Sequence, residues 1–477
     1  MATEQLTSTV APDDRVPLRQ KIAYGTGTVV DMFGNWLYPG LVWPVFQIYL
    51  GVWPGLVSAA LMINRLLDAV SDPVFGWLSD NTRSRWGRRR PFVLVGAVLS
   101  GLTLPLLFVV GRGWAPISYF WFMVISSGIY ITIVSSFAVA YNSLGNELTP
   151  DYQERTSVFS FKSGIQKIPE IGLFFGAMFV TSSLFNGADG KPDILFGAQV
   201  YTLILGALMI LAGIVVFAFT RERYYERGQV RTQAKVGIAD SIYKTLRCRP
   251  FRAQVAMAVA YGMGTSMVGT LGYYATVYYV CHGDVTLGSR WNFVMGLSNT
   301  GIGFLGIPFF SILAARLGKI RAMATQMVLA MTVFVATWWL YTPSVPWLQV
   351  LASGLIAFTG VGFWLLYGSI GADIIDYDEL EHGQRREGAF TASANWILKV
   401  GFAVGIGASG LILGATGFDE KLGGAQSPDT IFAIRFWLAA IPVIGLLIAL
   451  VVLLTFGLTR ERVLEIRRQL EARRGKV

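Results

Sequence analysis

The chain has 477 residues, 53% of them hydrophobic and only 14% charged, with a formal net charge of +10. A soluble chain carries charge on about a quarter of its residues, so the composition excludes an ordinary globular protein and predicts an all-α polytopic membrane protein. Two cysteines (Cys248, Cys281) and two histidines (His282, His382) argue against a disulfide framework, a zinc site or a haem site. The positive charge is gathered in short loops and in the C-terminal tail, which topology explains better than nucleic acid does.

Apolar runs of about 20 residues or more read as spanning helices. Twelve are expected, over 22–50, 55–79, 91–112, 117–145, 158–184, 198–220, 250–280, 291–315, 322–342, 347–376, 388–414 and 431–457. The polar stretch 1–19 has no apolar signal core, so a cleaved signal peptide is not expected. Arg83, Arg85, Arg88, Arg89 and Arg90 follow the second run, and Arg316, Lys319 and Arg321 follow the eighth. The central loop and the tail are also basic, while loops such as 50–54 and 342–346 are uncharged. Positive-inside bias therefore places both termini and the central loop in the cytoplasm, with the helices in a bacterial plasma (inner) membrane.

The central loop divides the helices six and six. The expected layout is a cytoplasmic segment 1–21, a bundle 22–220, a loop 221–249, a second bundle 250–457 and a basic tail 458–477. A short basic loop recurs after the second helix of each half, at 81–90 and 316–321. That repeat fits two six-helix bundles related by a pseudo-two-fold axis around a central cavity. The tail reads either as an amphipathic surface helix or as a solvated basic segment.

Ionisable groups at membrane depth are costly and mark function. The second run holds Arg65, Asp68, Ser71 and Asp72. Asp68 and Asp72 are four apart and share a helix face, with Arg65 one turn before. Paired carboxylates repel, and a cation between them removes the repulsion. Na⁺ or Li⁺ would take the oxygens with help from the Ser71 or Ser135 hydroxyls, whereas H⁺ would protonate one carboxylate. Lys399, if it reaches the pair, substitutes for the ion. The competing reading is a static lock, with Arg65 and Lys399 bridging helices. The other charges and amides at depth are Asp31, Asn35, Asn142, Lys162, Lys167, Glu170, Asp373, Asn395 and Arg435. Arg435 reads best as an interfacial anchor. Trp364 and Trp396 offer faces for a sugar ring or serve ordinary packing. Asp80 with Arg88 reads as a charge latch between helices or as a topogenic cluster. No P-loop or G-x-S-x-G motif is present, so neither ATP drive nor hydrolase chemistry is supported.

Several stretches resemble one family. Asp68-Ala-Val-Ser-Asp72-Pro-Val-Phe-Gly-Trp with Thr82-Arg-Ser-Arg-Trp-Gly-Arg resembles the second helix and following loop of the glycoside–pentoside–hexuronide:cation symporters, the melibiose permease group of the major facilitator superfamily. Tyr24-Gly-Thr-Gly, Tyr141-Asn-Ser-Leu-Gly-Asn-Glu-Leu-Thr-Pro and Ala372-Asp-Ile-Ile-Asp376-Tyr-Asp-Glu, followed by Lys399-Val-Gly, agree in order along the chain. The resemblance implies a major facilitator fold. It implies cation-binding carboxylates at Asp68 and Asp72, with Ser71 standing for an Asn ligand and Ser135 for a Thr. It also implies a lysine facing them at Lys399 and sugar-pocket positions at Trp364 and Asn395. Asp376 is expected to act in gating. The permease's sugar-binding Asp falls at Ala138, its first-helix Asp at Met32 beside Asp31, and its fifth-helix Arg at Ser163 beside Lys162. The galactoside arrangement is therefore not reproduced.

The expected activity is cation-coupled sugar symport by alternating access, with no enzyme chemistry and no cofactor beyond Na⁺ or H⁺. The substrate would meet Asp31, Asn35, Asn142, Lys162, Trp364, Asn395 and Trp396, and Lys162 points toward an anionic glycan such as a hexuronide. The partners are a small sugar, a monovalent cation and the bilayer, and a monomer is expected. A lysolipid or other amphiphile transporter of the same family is one alternative. A non-transporting membrane sensor is the alternative from another class.

Overall fold

The computed structural model describes residues 15–149, 152–187, 190–222, 245–382, 387–419, 422–458 and 460–474. Most of the central loop, 223–244, lies outside them, as does the side chain of Asp80. Helices are named by the expected run they cover. The second is Pro54–Asn81, the third Arg90–Thr103 with a 3-10 turn Pro105–Phe108, the fourth Pro116–Glu147, the fifth Tyr152–Val180 and the sixth Ile194–Phe219. The eighth is Val285–Leu317, the ninth Lys319–Leu340, the tenth Trp347–His382, the eleventh Glu387–Ala415 and the twelfth Pro428–Leu454. A tail helix spans Arg460–Arg474.

The helix starts follow from local chemistry. Prolines occupy the first turn of the fourth and twelfth helices, where the missing N–H costs nothing. Asp284, Asp193 and Ser427 cap the eighth, sixth and twelfth helices by accepting from Leu287, Phe196 and Thr430 N–H groups. Among the described residues, nine helices are long and apolar enough to cross a membrane by length and composition. The first, second and fifth expected spans fall outside those nine. The first is divided into short segments, and the other two hold several charged residues.

The first and seventh helices share an unusual backbone. The first runs through Leu18–Thr26, Thr28–Met32, a π-helix Phe33–Leu37, Tyr38–Val42 and a second π-helix Trp43–Tyr49. The seventh runs through Arg249–Ser266, Val268–Tyr274 and a π-helix Ala275–Val280. Both end in the same wide turn. Leu50 N–H donates to Val45 O and Val52 N–H to Phe46 O; Cys281 N–H donates to Thr276 O and Gly283 N–H to Val277 O. Each turn has a left-handed residue, Gly51 at φ 68° and His282 at φ 51°, which are 231 apart (282 minus 51). The same spacing relates Gly87 at φ 103° to Gly318 at φ 83°, and the fourth-helix start Pro116 to the tenth-helix start Trp347. The repeat is therefore one of backbone geometry, not only of charge.

The chain clusters into two compact units. One comprises Met1–Val52 with Leu66–Ala234, the other Trp53–Arg65 with Lys235–Val477. The second helix changes unit at Arg65. Its N-terminal part packs on the eleventh helix, where Ser58 donates to Gly407 O and glycines 407, 410 and 414 leave no room for a Cβ without displacing Met62, Ser58 or Trp53. In the second unit, Tyr261 and Phe363 stack at 3.7 Å amid a continuous apolar core. That core reaches the tail helix, whose Ile466 and Leu470 are buried. The tail is thus a docked amphipathic helix and not a solvated segment.

In the first unit the third and sixth helices cross at two glycines. A Cβ on Gly101 would lie 2.5 Å from Gly206 O, and one on Gly206 would lie 2.3 Å from Gly101 O. Backbone cannot give way as a flexible side chain can. Gly206→Val is expected to lower stability by roughly 2 kcal/mol or more, read as a fall in Tm by thermal denaturation in detergent. Gly40→Ala, where nothing lies within 4 Å of the added Cβ, should leave Tm unchanged.

Candidate functional site

Three of the four expected cation ligands meet in the first unit. Asp68 is 2% exposed, Ser71 8% and Ser135 1%. The Ser135 hydroxyl donates to Asp68 Oδ1 at 3.0 Å, and the Ser71 hydroxyl lies 2.8 Å from Ser135 Oγ and 3.1 Å from the Asp68 carbonyl oxygen. The helical repeat sets Asp68 and Ser71 on one face of the second helix, and the fourth helix brings Ser135 to them. Asp72 is half-buried one turn further on. Arg65 is buried, one turn before Asp68 on the same helix. Lys399 is half-buried on the eleventh helix, in the second unit.

The expected substrate residues of the first unit also converge. Asn35 donates through Nδ2 to Asp31 O at 2.9 Å and to Asp31 Oδ1 at 3.2 Å. Lys162 Nζ donates to Asn142 Oδ1 at 2.8 Å and sits 4.8 Å from the centre of the Tyr141 ring. Asp31 is within electrostatic reach of Lys162, Tyr141 and Tyr24. Tyr24 and Tyr141 stack at 4.7 Å, and the Tyr141 hydroxyl donates to Tyr24 O. A cation, an anion and two amides thus lie close together, backed by two buried, stacked phenols. Such a mixture of donors and acceptors suits a polyhydroxylated ligand.

The remaining substrate residues lie in the second unit. Asn395 and Trp396 are exposed, and Trp364 is partly exposed against Tyr261, Phe363 and Tyr367. Trp364 and Asn299 border a cavity of about 480 Å³. Lys167 and Glu170 pair at 2.6 Å, and Asp373 pairs with Lys319 at 2.6 Å. Arg435 donates to Trp338 O and lies over the Tyr279 and Trp338 rings, as an interfacial anchor would.

Around the expected gate, the sequence reading missed the central residue. Glu222 follows the sixth helix and is 2% exposed. Its carboxylate accepts from the backbone N–H of Arg88, Arg89 and Arg90, each at 2.8 Å. It therefore caps the third helix in place of a local side chain, where the helix dipole favours an anion. Gly87 must be glycine here, because its φ is 103° and a Cβ would lie 2.5 Å from Glu222 Oε1. The Arg89 guanidinium donates to Ser79 and that of Arg90 to Phe217 O, so the basic loop is tied down on both sides. Arg88 enters this cap through its backbone, and Asp376 is half-buried on the tenth helix.

A family model described as MFS/sugar transport protein matches residues 28–460. An uncharacterized symporter of Synechocystis sp. is 26% identical, with 96% of this chain and 98% of that protein aligned. An isoprimeverose transporter of Lactiplantibacillus pentosus is 26% identical over 85% of this chain and 81% of its own. The crystal structure of a bacterial homolog of the human lysosomal transporter Spinster, inward-facing and unoccupied, aligns with a TM-score of 0.63 at 13% identity, covering 92% of this chain and 96% of that one. At that identity the likeness is one of fold. Family model, symporter relatives, fold likeness and helical membrane architecture agree, and the chain belongs to the sugar-transporting glycoside–pentoside–hexuronide:cation symporter family of the major facilitator superfamily.

Proposed function

We propose that the protein couples the entry of a monovalent cation, Na⁺ or H⁺, to the uptake of a glycoside by alternating access, with Asp68 and Asp72 as the coupling carboxylates. The observation that carries this reading is the Asp68 carboxylate, buried in the second helix and joined to the Ser135 hydroxyl. An anion held at membrane depth is stable only when compensated, and a cation that comes and goes makes that compensation switchable. Ser71 and Ser135 complete the ion's shell, and Arg65 and Lys399 are the compensating cations of the empty cycle. Asp31, Asn35, Asn142 and Lys162 form the polar sugar-recognition surface of the first unit. Trp364, Asn395 and Trp396 are the corresponding candidates of the second.

Lys162 supports an acidic sugar, whereas Asp31 close by balances its charge and supports a neutral one. Uptake of labelled isoprimeverose and of a hexuronide into membrane vesicles separates the two, each measured with an imposed Na⁺ gradient and with a pH gradient. One sugar accumulating only with one of the gradients is the expected result. An amphiphile that accumulates while neither sugar does would favour the lysolipid reading.

Two consequences follow for variants. Asp68→Asn and Asp72→Asn should abolish gradient-driven accumulation while sugar still binds, because coupling and recognition use different groups. If both variants still concentrate sugar normally, the coupling assignment fails. Ser135→Ala removes one oxygen from the ion's shell, a loss on the order of the 1.5–3 kcal/mol of a hydrogen bond to a charged group. It should weaken cation affinity roughly 10-fold or more, seen as a shift in the cation concentration giving half-maximal uptake. Linkage requires the sugar to raise cation affinity by the same factor that the cation raises sugar affinity.

A further inference from the structure

In the second unit the eighth and tenth helices approach closely at Gly303 and Gly306, where an added Cβ would meet Ala357 Cβ at 3.3 Å and Phe358 O at 2.5 Å. Beside this crossing lies the cavity of about 480 Å³, bordered by Asn299 near the middle of the eighth helix and Trp364 near the middle of the tenth. The rest of its wall is Gly360 and aliphatic side chains such as Ile307, Val361 and Leu365; among the described residues it includes no charged group. Tyr261 of the seventh helix is 6% exposed, and its hydroxyl lies 3.4 Å from where a Cβ on Gly360 would stand. Among the described residues, the Asn299 amide, the Tyr261 hydroxyl and the Trp364 indole N–H have no hydrogen-bond partner. Three amides buried in the same unit do have one: Gln254 donates to Tyr367 O, Gln326 donates to Thr359 O, and Gln349 accepts from Thr276. An unpaired polar group in apolar surroundings is costly, and those kept at membrane depth mark function. Three of them at one cavity point to a ligand that uses them.

We propose that Asn299 is a sugar-recognition residue of the second unit: its amide bonds a ring hydroxyl of a glycoside whose C–H face lies against Trp364, and the Tyr261 hydroxyl reaches the same ring past Gly360. An indole face takes the apolar face of a pyranose. An amide offers a donor and an acceptor, and a sugar hydroxyl is both. Gly360 lies one turn before Trp364, and a side chain larger than a methyl there would crowd the Tyr261 hydroxyl. The wall also narrows the class of sugar. A carboxylate seated in this cavity would meet no cation in its wall, and desolvating it would cost more than one amide returns. The ring held here is therefore a neutral one. The aliphatic wall gives hydroxyls nothing to bond, so the Asn299 amide decides which hydroxyl the ring must carry. A site built around a hydrogen bond rejects the analogue that lacks its partner.

This role rests on the sugar-symporter reading, and equilibrium binding without any gradient keeps the two apart. The probes are the neutral disaccharide isoprimeverose, its monodeoxy analogues, each lacking one hydroxyl, and methyl glucuronide. They are titrated by calorimetry into the full-length protein in lipid nanodiscs. One monodeoxy analogue should bind the parent about 10-fold more weakly than isoprimeverose, as expected for leaving a desolvated amide unpaired. In Asn299→Leu, isoprimeverose itself should lose that factor, and the same analogue should bind as well as the full sugar. Tyr261→Phe, which removes a single oxygen, should give the same pattern with its own hydroxyl and repeats the test if leucine at 299 disturbs the fold. Asn299→Leu binding isoprimeverose as tightly as the parent, or losing affinity for every analogue by one common factor, would overturn the assignment and leave symport standing. So would a parent that binds methyl glucuronide and not isoprimeverose. A parent that binds neither sugar overturns the assignment together with the symporter reading.

Discussion

Every charge in this protein that sits at or near membrane depth has to be compensated by something the fold brings to it. Desolvating an ion costs several kcal/mol even after relaxation, more than one hydrogen bond returns. The structure meets this demand in different ways. Lys167 and Glu170 pair one helical turn apart. Asp373 and Lys319 pair across two helices. Arg435 spreads its charge over two rings and a carbonyl. Glu222 uses three backbone amides. The buried Asp68 carboxylate accepts from the Ser135 hydroxyl.

The backbone repeat shows that this chemistry is not shared evenly. The spacing of 231 that relates Gly51 to His282 and Gly87 to Gly318 also brackets the second and eighth helices. Under it Asp68 corresponds to Asn299, Ser71 to Ile302 and Asp72 to Gly303. The two halves keep the same wide turns, the same positive-φ residues and the same helix starts, but only the first keeps the carboxylates. The second unit has instead the exposed indole of Trp364 beside Asn299 at a cavity. The architecture is duplicated along these helices, and the ionisable groups are not.

Much of the fold was legible because apolar runs and proline starts are local signals. The second run was expected over 55–79 and forms Pro54–Asn81; the tenth, expected over 347–376, continues to His382. The largest shortfall is the third, expected to reach 112, whose α-helix ends at Thr103 because Pro105 lacks an N–H and clashes with the preceding turn. The π-helices were not legible, since hydropathy does not register one extra residue per turn. In the site, Asp68, Ser71 and Ser135, and separately Asp31 with Asn35 and Lys162 with Asn142, were anticipated and do meet. Glu222 was missed because it lies at a helix end among basic residues, where a carboxylate reads as surface charge. The Thr-Arg-Glu-Arg that recurs at 220–223 and 459–462 was the available signal. The twin tyrosines Tyr24 and Tyr141 were quoted for their neighbours and not for the stack they form.

In the proposed coupling role, the hydroxyls beside Asp68 must serve a bound Na⁺ or a bound H⁺. The Ser135 hydroxyl donates to Asp68 Oδ1 and accepts from Ser71. A hydroxyl oxygen carries two lone pairs beside its proton, so one lone pair of Ser135 is left for a cation while both hydrogen bonds stay in place. A proton on Asp68 Oδ2 would likewise leave Oδ1 accepting from Ser135. The hydrogen-bonded chain from Ser71 through Ser135 to Asp68 is therefore retained with either ion.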